Sequence, residues 1–159
     1  MEFMALTFDE LKKLMAGAGL PYFLDPHQPV LVCLIPDQDD TYQVAAILDA
    51  EHGFLQLRTV NLFQCIAEHV HAVPVLKVIG EFNYRARFIK LGWEPLNGEI
   101  AAYGDLFIFE TKPTQEQFNF MLGAFLQQLH QIYPRLKQVL ETGQETEPQK
   151  PEEAGLDRI

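Results

Sequence analysis

The spacing of apolar and polar residues divides the chain into helical and strand-like segments, beginning with a helix near the N-terminus. Its apolar face consists of residues three and four apart, Leu11, Leu14, Met15 and Ala18. Thr7 and Glu10 form the T-x-x-E pattern of a capping box, which places the start of the helix directly after Thr7. Gly17 and Gly19 are expected to end the helix, because glycine is favoured just beyond helix C-termini.

Three runs that follow are predicted to be the strands of an antiparallel meander. Residues 30–35 are continuously apolar, as in a buried strand. Residues 41–48 and 54–60 alternate apolar with polar side chains, which is typical of strands with one face toward the core. Short polar turns separate the three runs. The proline-rich residues 21–29 are predicted to form a loop, and residues 61–72 remain undecided.

A second helix and a hairpin are predicted in the middle of the chain. Pro74 marks the helix start, because proline is favoured at the first helical position. Gly80 lies inside this helix at a cost of about 1 kcal/mol relative to alanine. Glycine in such a place lets another backbone come close. Asn97-Gly98 separates residues 88–95 from 99–109, and this dipeptide predicts paired strands joined by a type I′ turn.

A second capping box, formed by Thr114 and Gln117, begins the longest helix. Its apolar stripe is Phe118, Met121, Leu122, Phe125, Leu129, Ile132, Leu136 and Val139. Pro134 lacks a backbone N–H and is expected to kink or break this helix near its end. Residues 142–159 are polar and acidic, which predicts a disordered tail after a single domain of residues 1–141.

Composition and charge narrow the possible functions. The chain has 159 residues, 48% of them apolar and 21% charged, as expected of one globular domain. Its net charge of −10 repels phosphate backbones, so we expect no nucleic-acid partner. No apolar run approaches the roughly 18–20 residues of a membrane span, and the acidic N-terminus is unlike a secretory signal. We therefore expect a cytoplasmic protein without a membrane partner, in which Cys33 and Cys65 are free thiols.

The segment EHVHAVP, residues 68–74, is the one stretch that resembles a metal site. Glu68, His69 and His71 are ligand types that zinc uses, and in a strand the two histidines would share a face. No spacing supplies a further histidine, so we interpret the segment as a solvated connection and predict no metal and no cofactor. Cys65 with Glu68 and His69 could form a nucleophile and base, but a triad is defined by geometry rather than spacing. We predict no catalytic residues.

The predicted element order is α-β-β-β-α-β-β-α, an α+β fold with helices packed on an antiparallel sheet. With this order the sequence resembles the YbjN-like family, which is named for a role in bacterial sensory transduction. The resemblance is carried mostly by residues 74–140, and upstream of them it extends to element order only. The matching residues are Phe82-Asn83-Tyr84, Phe88, the Thr-x-Glu-Gln-Phe run at 114–118, and Tyr133-Pro134 with Leu136 and Val139.

The resemblance implies a function as well as a fold. The YbjN-like family is similar in fold to type III secretion chaperones, which bind an unfolded stretch of a partner protein. The resemblance therefore implies that this protein is a non-enzymatic protein-binding or regulatory module with a chaperone-like fold. It also implies a homodimer, as is frequent in such proteins, and a further protein partner. None of the matching motifs carries a catalytic residue.

Two sets of residues are candidates for binding. Phe120 falls near 200° from the apolar stripe of the last helix, beside Ala124, where it could seat another chain. Gly80 makes the middle helix a rival dimer surface. The alternative function, a small-molecule (anion) binding protein or enzyme, rests on a basic set, Arg85, Arg87 and Lys90. An exposed helix end, where basic residues complement the helix dipole, is the simpler explanation of that set.

Overall fold

A computed structural model describes residues 6–37 and 40–145 of the chain. Within these residues it contains three helices and one seven-stranded sheet. The elements, in chain order, are α1 (Phe8–Gly17), β1 (Tyr22–Leu24), β2 (Val30–Asp37), β3 (Asp40–Asp49), β4 (Phe54–Val60), β5 (Phe63–Gln64), α2 (Ala72–Arg85), β6 (Lys90–Trp93), β7 (Glu99–Phe107) and α3 (Gln115–Thr142). The predicted α+β class is confirmed.

All recorded strand pairs are antiparallel, and strands β1 to β4 form a meander that continues into β7. Strand β6 pairs with the other side of β7. The chain bulges between β4 and β5, because Arg58 is opposite Tyr103 whereas Phe63 is opposite Ile100. The Thr59 hydroxyl accepts a hydrogen bond from the Ala102 N–H at 2.9 Å, so a buried donor is satisfied where the ladder is interrupted.

The hydrophobic core lies between one face of the sheet and the three helices. All eight residues of the predicted α3 stripe are buried, and they pack with buried residues of α1 and α2. Alternate strand residues point into this core, among them Leu31, Val44, Leu55 and Leu57. The residues that alternate with them, such as Ala45 and Ile47, point to the other face of the sheet and lie outside the core cluster. In the described part of the chain, therefore, the helices cover one face of the sheet and leave its outer face uncovered.

The predicted helix starts are confirmed at both capping boxes. At α1, the Thr7 N–H donates to Glu10 Oε2 at 2.8 Å and the Glu10 N–H donates to Thr7 Oγ1 at 3.2 Å. At α3, Thr114 and Gln117 make the same reciprocal pair. Gly19 follows α1 with a φ of 76°, as expected of a glycine that ends a helix.

Two strands and one helix boundary differ from the prediction. Strand β1 lies in the predicted loop of residues 21–29, and β5 lies in the undecided segment. Both are too short to show a periodic pattern and exist because β2 and β7 supply their partners. Helix α2 begins at Ala72, two residues before the predicted start. Pro74 still lies in the first turn, where backbone N–H groups have no partner within the helix, so it costs no hydrogen bond.

The hairpin between β6 and β7 is confirmed, but the type I′ turn is wrong. Gly98 has a φ of 78°, whereas Asn97 is not among the residues with positive φ. Residues 94–98 join the strands, and a hydrogen bond from the Glu94 N–H to the Glu99 carbonyl at 2.9 Å closes this loop. The loop also packs on the preceding segment, since the Cys65 N–H donates to the Gly98 carbonyl at 2.7 Å. This tertiary contact has no local sequence signal.

Helix α3 is not broken at Pro134 and continues to Thr142. Pro134 is solvent-exposed, so water can reach the carbonyl that loses its partner. Gly143 then caps the helix in the left-handed conformation, with its N–H donating to the Val139 carbonyl at 2.8 Å. Residues 146–159 lie outside the described residues, so the disordered tail and the domain boundary at residue 141 stay predictions. None of the described helices is long and apolar enough to span a membrane.

Candidate protein-interaction surfaces

The outer face of the sheet exposes several apolar side chains to solvent in the described structure. Neighbouring strands place apolar residues side by side on it, as at Val32 opposite Ala45 and at Phe54 opposite Phe107. Its exposed apolar members are Phe23, Leu34, Phe54 and Phe107. Alternation alone would place polar residues at these positions, so this face departs from the usual pattern of a solvated sheet.

Aromatic residues concentrate at one end of this face, next to the β3–β4 turn. The rings of Phe54 and Phe107 lie 5.5 Å apart, edge to face, and those of Phe107 and Phe109 lie 6.1 Å apart. Phe109 also packs beside Gly53, and the Ile108 N–H donates to the Gly53 carbonyl at 2.7 Å. The residues Phe54, Phe107 and Phe109 are called the aromatic end below. These contacts connect its rings to one another and to the β3–β4 turn.

A shallow depression of about 260 Å³ adjoins the aromatic end. It is lined by Ile47, Asp49, Phe54, Gln56 and Asp105. Gln56 Nε2 donates to Asp105 Oδ1 at 2.9 Å, and His52 Nδ1 lies 2.9 Å from both Asp49 carboxylate oxygens. The hydrogen bond from His52 holds the pKa of Asp49 below its usual range, so this carboxylate is ionised at neutral pH. The depression therefore combines apolar walls with two carboxylates.

Helix α2 presents a second exposed strip, formed by Val73, Leu76, Gly80 and Tyr84. Their spacing of three and four places them on one side of the helix. A Cβ added to Gly80 would meet no atom within 4 Å, so the close approach that this glycine permits is not used within the described chain. Tyr84 is 91% exposed. Helix α2 therefore stays a candidate dimer surface, as the sequence analysis proposed from Gly80.

The other candidate of the sequence, Phe120, lies on a separate part of the surface. Phe120 is 80% exposed, and Ala124 is half-buried beside it on α3. The Ala124 carbonyl accepts a hydrogen bond from Gln128 Nε2 at 3.4 Å. Phe120 is the one large apolar side chain exposed on α3 in the described structure, whereas α2 exposes several.

The basic set near the end of α2 does not converge on a common point. Arg85 Nε lies 3.6 Å from Glu81 Oε1. Lys90 Nζ donates to the carbonyl oxygens of Asn83 at 3.1 Å and Ala86 at 2.7 Å, so it caps the C-terminus of α2. Arg87 is exposed, and its carbonyl accepts from Gln128. Arg85 and Lys90 therefore interact with groups of α2 itself, which agrees with the simpler interpretation of the sequence. Nothing in the described structure favours an anion site here.

The histidines of EHVHAVP have a structural role that the sequence did not reveal. His71 Nδ1 donates to the Leu140 carbonyl at 2.8 Å, which ties the start of α2 to the last turn of α3. His69 Nδ1 accepts from the His71 N–H at 3.0 Å. The described residues contain no group of three or more side chains that could hold a metal. The contact between residues 71 and 140 is too distant in sequence for any local motif to indicate it.

The cysteines are not arranged as nucleophiles. Cys33 and Cys65 are both free and buried. Burial raises the pKa of the Cys33 thiol to about 11, and it raises the pKa of the Cys65 thiol as well. Neither thiol is therefore ionised to a useful extent at neutral pH. Cys65 Sγ donates weakly to the Ile66 carbonyl at 3.9 Å.

The fold and these surfaces define an α+β protein with an uncovered sheet face. Residues 7–138 match the family model of YbjN, described as "Putative bacterial sensory transduction regulator", and the chain belongs to this family. No curated protein is similar enough to count as a relative.

Two solved structures share the fold. The "ExsC-ExsE Complex" matches with a TM-score of 0.58 at 20% identity, covering 84% of this chain and 97% of that one. The "HopA1-SchA Chaperone-Effector Complex" matches with a TM-score of 0.52 at 14% identity, covering 80% and 94%. At these identities the likeness establishes the fold alone. It confirms the type III secretion chaperone-like architecture that the resemblance implied.

Proposed function

We propose that this protein is a non-enzymatic module that binds another polypeptide, with a regulatory or chaperone-like role. The observation that carries the proposal is the outer sheet face, where Phe23, Leu34, Phe54 and Phe107 are a third to two thirds exposed. Monomeric soluble proteins rarely expose contiguous apolar patches larger than a few hundred Å², and larger patches usually mark an interaction site.

Two further observations agree with a protein partner. The structural neighbours were solved as complexes, one of them between a chaperone and an effector. The depression on the sheet is shallow and open, unlike the enclosed pockets that bury small molecules. The two thiols are buried and have raised pKa values, which argues against cysteine chemistry. The cytoplasmic location stays a prediction from the sequence.

We further propose that the protein forms a homodimer through α2. A two-fold interface brings the same patch of both copies together, so a strip must be complementary to itself. Gly80 provides a gap in the strip and Tyr84, one turn further, provides a protruding ring. In an antiparallel pair of α2 helices, each ring would enter the gap of the other helix.

Affinity purification from native cell extract tests the main proposal. We expect a defined polypeptide to co-purify with the wild-type chain in a constant ratio, and to be lost from a Phe23→Ser/Leu34→Ser variant. Both side chains are about half exposed, so the substitutions should leave the fold intact. A Leu96→Ser variant is the matched control, because Leu96 is 94% exposed on the β6–β7 loop. Equal retention by all three chains would contradict a role of the part of the sheet face around Phe23 and Leu34, and the absence of any polypeptide in constant ratio would contradict the function.

A further inference from the structure

We infer that the aromatic end of the outer sheet face binds a basic polypeptide segment, with an arginine or lysine side chain of the partner in the depression beside Phe54. The inference rests on the proposed function and specifies the chemistry of the partner. Its basis is the way the strand register places two carboxylates around an apolar floor.

The lining of the depression suits a long cationic side chain. Asp49 is opposite Phe54 across β3 and β4, and Gln56 is opposite Asp105 across β4 and β7. Ile47 and Phe54 can cover the aliphatic stem, as apolar surfaces do for arginine and lysine elsewhere. The charged group would then lie in the depression that the two carboxylates line. The Phe54 ring can add a cation–π attraction, and the planar guanidinium of arginine fits both interactions best.

The charges around the depression favour a basic partner. Arg58, the nearest basic residue along β4, has its guanidinium 3.4 Å from Glu99. His52 faces Asp49, but it carries a charge only when protonated. Asp105 receives a hydrogen bond from a neutral amide rather than from a cation. The described surface therefore presents more negative than positive charge at this end of the sheet.

The same charges disfavour the two other occupants of this face. A second copy bound with its two-fold axis at this end of the face would bring Asp49 and Asp105 close to the same residues of its partner, and close like charges cost several kcal/mol. The chain's own residues 146–159 contain four acidic and two basic residues, so they too carry net negative charge. Of the three possible occupants, a basic segment of another protein is the one whose charge is complementary to this end of the sheet.

The edges of the sheet do not offer an easier site for an extended segment. Strand β1 has three residues and lies between Pro21 and Pro26. Short edge strands with prolines resist the addition of another strand. At the other edge, the Asn83 side chain bonds both the N–H and the carbonyl of Leu91. The partner is therefore expected to lie on the sheet face rather than to extend the sheet.

The aromatic end is also held in place before any partner binds. Gly53 adopts a φ of 75°, and its carbonyl accepts from the Ile108 N–H. The His52 N–H donates to Asp49 Oδ1 at 3.2 Å across the same turn. Because these contacts already order the turn and β7, binding requires little additional ordering.

Fluorescence anisotropy with the full chain tests the inference. The probe is a fluorescein-labelled synthetic peptide that alternates arginine with leucine and phenylalanine, and the control peptide has glutamate in place of arginine. We expect the wild-type chain to bind the basic peptide at least tenfold more tightly than the acidic one. The Asp49→Asn/Asp105→Asn variant should lose about tenfold in affinity for the basic peptide, since the lost charge pairs are partly desolvated. Phe107→Ser should lose a similar factor.

Matched variants separate a site from a general effect of charge. Glu68→Gln/Glu116→Gln also removes two negative charges, but at exposed positions that are not on the sheet. Phe120→Ser removes an exposed phenylalanine from α3. Both are expected to bind the basic peptide as the wild-type chain does. An equal loss in these controls, or equal binding of the acidic peptide, would overturn the inference. Urea midpoints within experimental error of wild type show that each variant is folded, and Phe54→Ser replaces Phe107→Ser if the latter is not.

The extract experiment distinguishes failure of the inference from failure of the function. If a polypeptide co-purifies with the wild-type chain and equally with the Asp49→Asn/Asp105→Asn variant, the protein binds a partner but not through the depression. If none co-purifies, the proposed function itself is contradicted. Selective loss from the variant supports both.

Discussion

The side chain of Asn83 forms two hydrogen bonds with the backbone of Leu91. Asn83 Nδ2 donates to the Leu91 carbonyl at 2.9 Å, and the Leu91 N–H donates to Asn83 Oδ1 at 2.8 Å. The amide thus takes the place that a neighbouring strand would have at the free edge of β6. It also fixes the end of α2 to the sheet, since Asn83 belongs to that helix and Leu91 to the strand that follows.

Replacement of Asn83 by alanine is expected to lower the free energy of unfolding by about 1–3 kcal/mol, because both backbone groups of Leu91 lose their partner. Urea denaturation followed by circular dichroism measures the change. Asn83→Asp is an informative comparison, because it keeps the acceptor for the Leu91 N–H and loses only the donor. We expect its effect to be smaller at low pH than at neutral pH, because the protonated carboxyl has an O–H that can donate to the Leu91 carbonyl. An unfolding midpoint equal to that of the wild type in Asn83→Ala would contradict the role of this contact.

Asn83 also illustrates what the sequence could and could not predict. The Phe82-Asn83-Tyr84 motif was part of the resemblance to the YbjN-like family, but nothing local indicated that Asn83 binds Leu91. The α3 stripe, by contrast, follows from spacing alone, because burial of a helix face repeats with the helix period. The capping boxes were predictable because the two residues of each box lie within one turn of helix and have a local sequence pattern.

The candidate site was less predictable than the fold. Phe54 opens a strand whose buried residues are Leu55, Leu57 and Thr59, so its phase in the sequence places it on the outer face. The alternation within β4 was therefore sufficient to predict that Phe54 points away from the core. The pairing of Phe54 with Phe107 depends on the register of β4 against β7, two strands that are separated along the chain by β5, α2 and β6. Contacts of this kind have no local pattern, so the aromatic end could only emerge from the structure.

Gly98 is expected to tolerate no side chain. Its φ of 78° is strained for other residues, and a Cβ there would lie 2.6 Å from the Cys65 carbonyl carbon and the Ile66 nitrogen. Gly98→Ala should therefore cost at least about 1–3 kcal/mol of unfolding free energy. Gly19 is the matched control, because its φ is 76° and a Cβ there would meet nothing within 4 Å. If Gly98→Ala and Gly19→Ala shift the urea midpoint equally, the packing against Cys65 contributes nothing.

The ion pair between Glu10 and Lys112 predicts a defined dependence of stability on pH. The Lys112 ammonium, 2.7 Å away, and the Thr7 N–H lower the pKa of Glu10 from 4.5 to about 2. A carboxyl whose pKa is lower in the folded state stabilises it fully above about pH 4.5, and this contribution is lost as pH falls toward 2. Glu10→Gln should therefore unfold at lower urea concentration than wild type at pH 7, with the difference shrinking below pH 4.

Lys112→Gln provides the reciprocal test of that pair. It removes the cation and leaves the capping box between Thr7 and Glu10 in place. We expect the same loss at pH 7 and the same convergence with the wild type at low pH. A difference from wild type that stays constant between pH 7 and pH 3 would indicate that the charge of Glu10 is not responsible.

The two thiols are expected to resist alkylation in the folded protein. Cys33 is 2% exposed, and burial raises its pKa to about 11. Cys65 is 1% exposed and its pKa is raised by the same cause. Because iodoacetamide reacts with the thiolate, the native chain at pH 8 should stay unmodified over a time in which the urea-unfolded chain reacts at both positions. Intact-mass spectrometry counts the added groups, and rapid modification of the native chain would show that a thiolate is accessible.

The proposed homodimer can be assigned to one surface by two charge-introducing substitutions. Tyr84 and Phe120 are both at least 80% exposed, so Tyr84→Glu and Phe120→Glu should fold like the wild type. The α2 strip has a gap at Gly80 beside a protruding ring, whereas Phe120 has only the half-buried Ala124 next to it. We therefore expect sedimentation velocity to show a dimer for wild type and Phe120→Glu. Tyr84→Glu should raise the dimer dissociation constant at least tenfold, since a charge would be buried against an apolar strip. A dimer lost only in Phe120→Glu would move the interface to α3, and a monomeric wild-type chain at high concentration would exclude the homodimer.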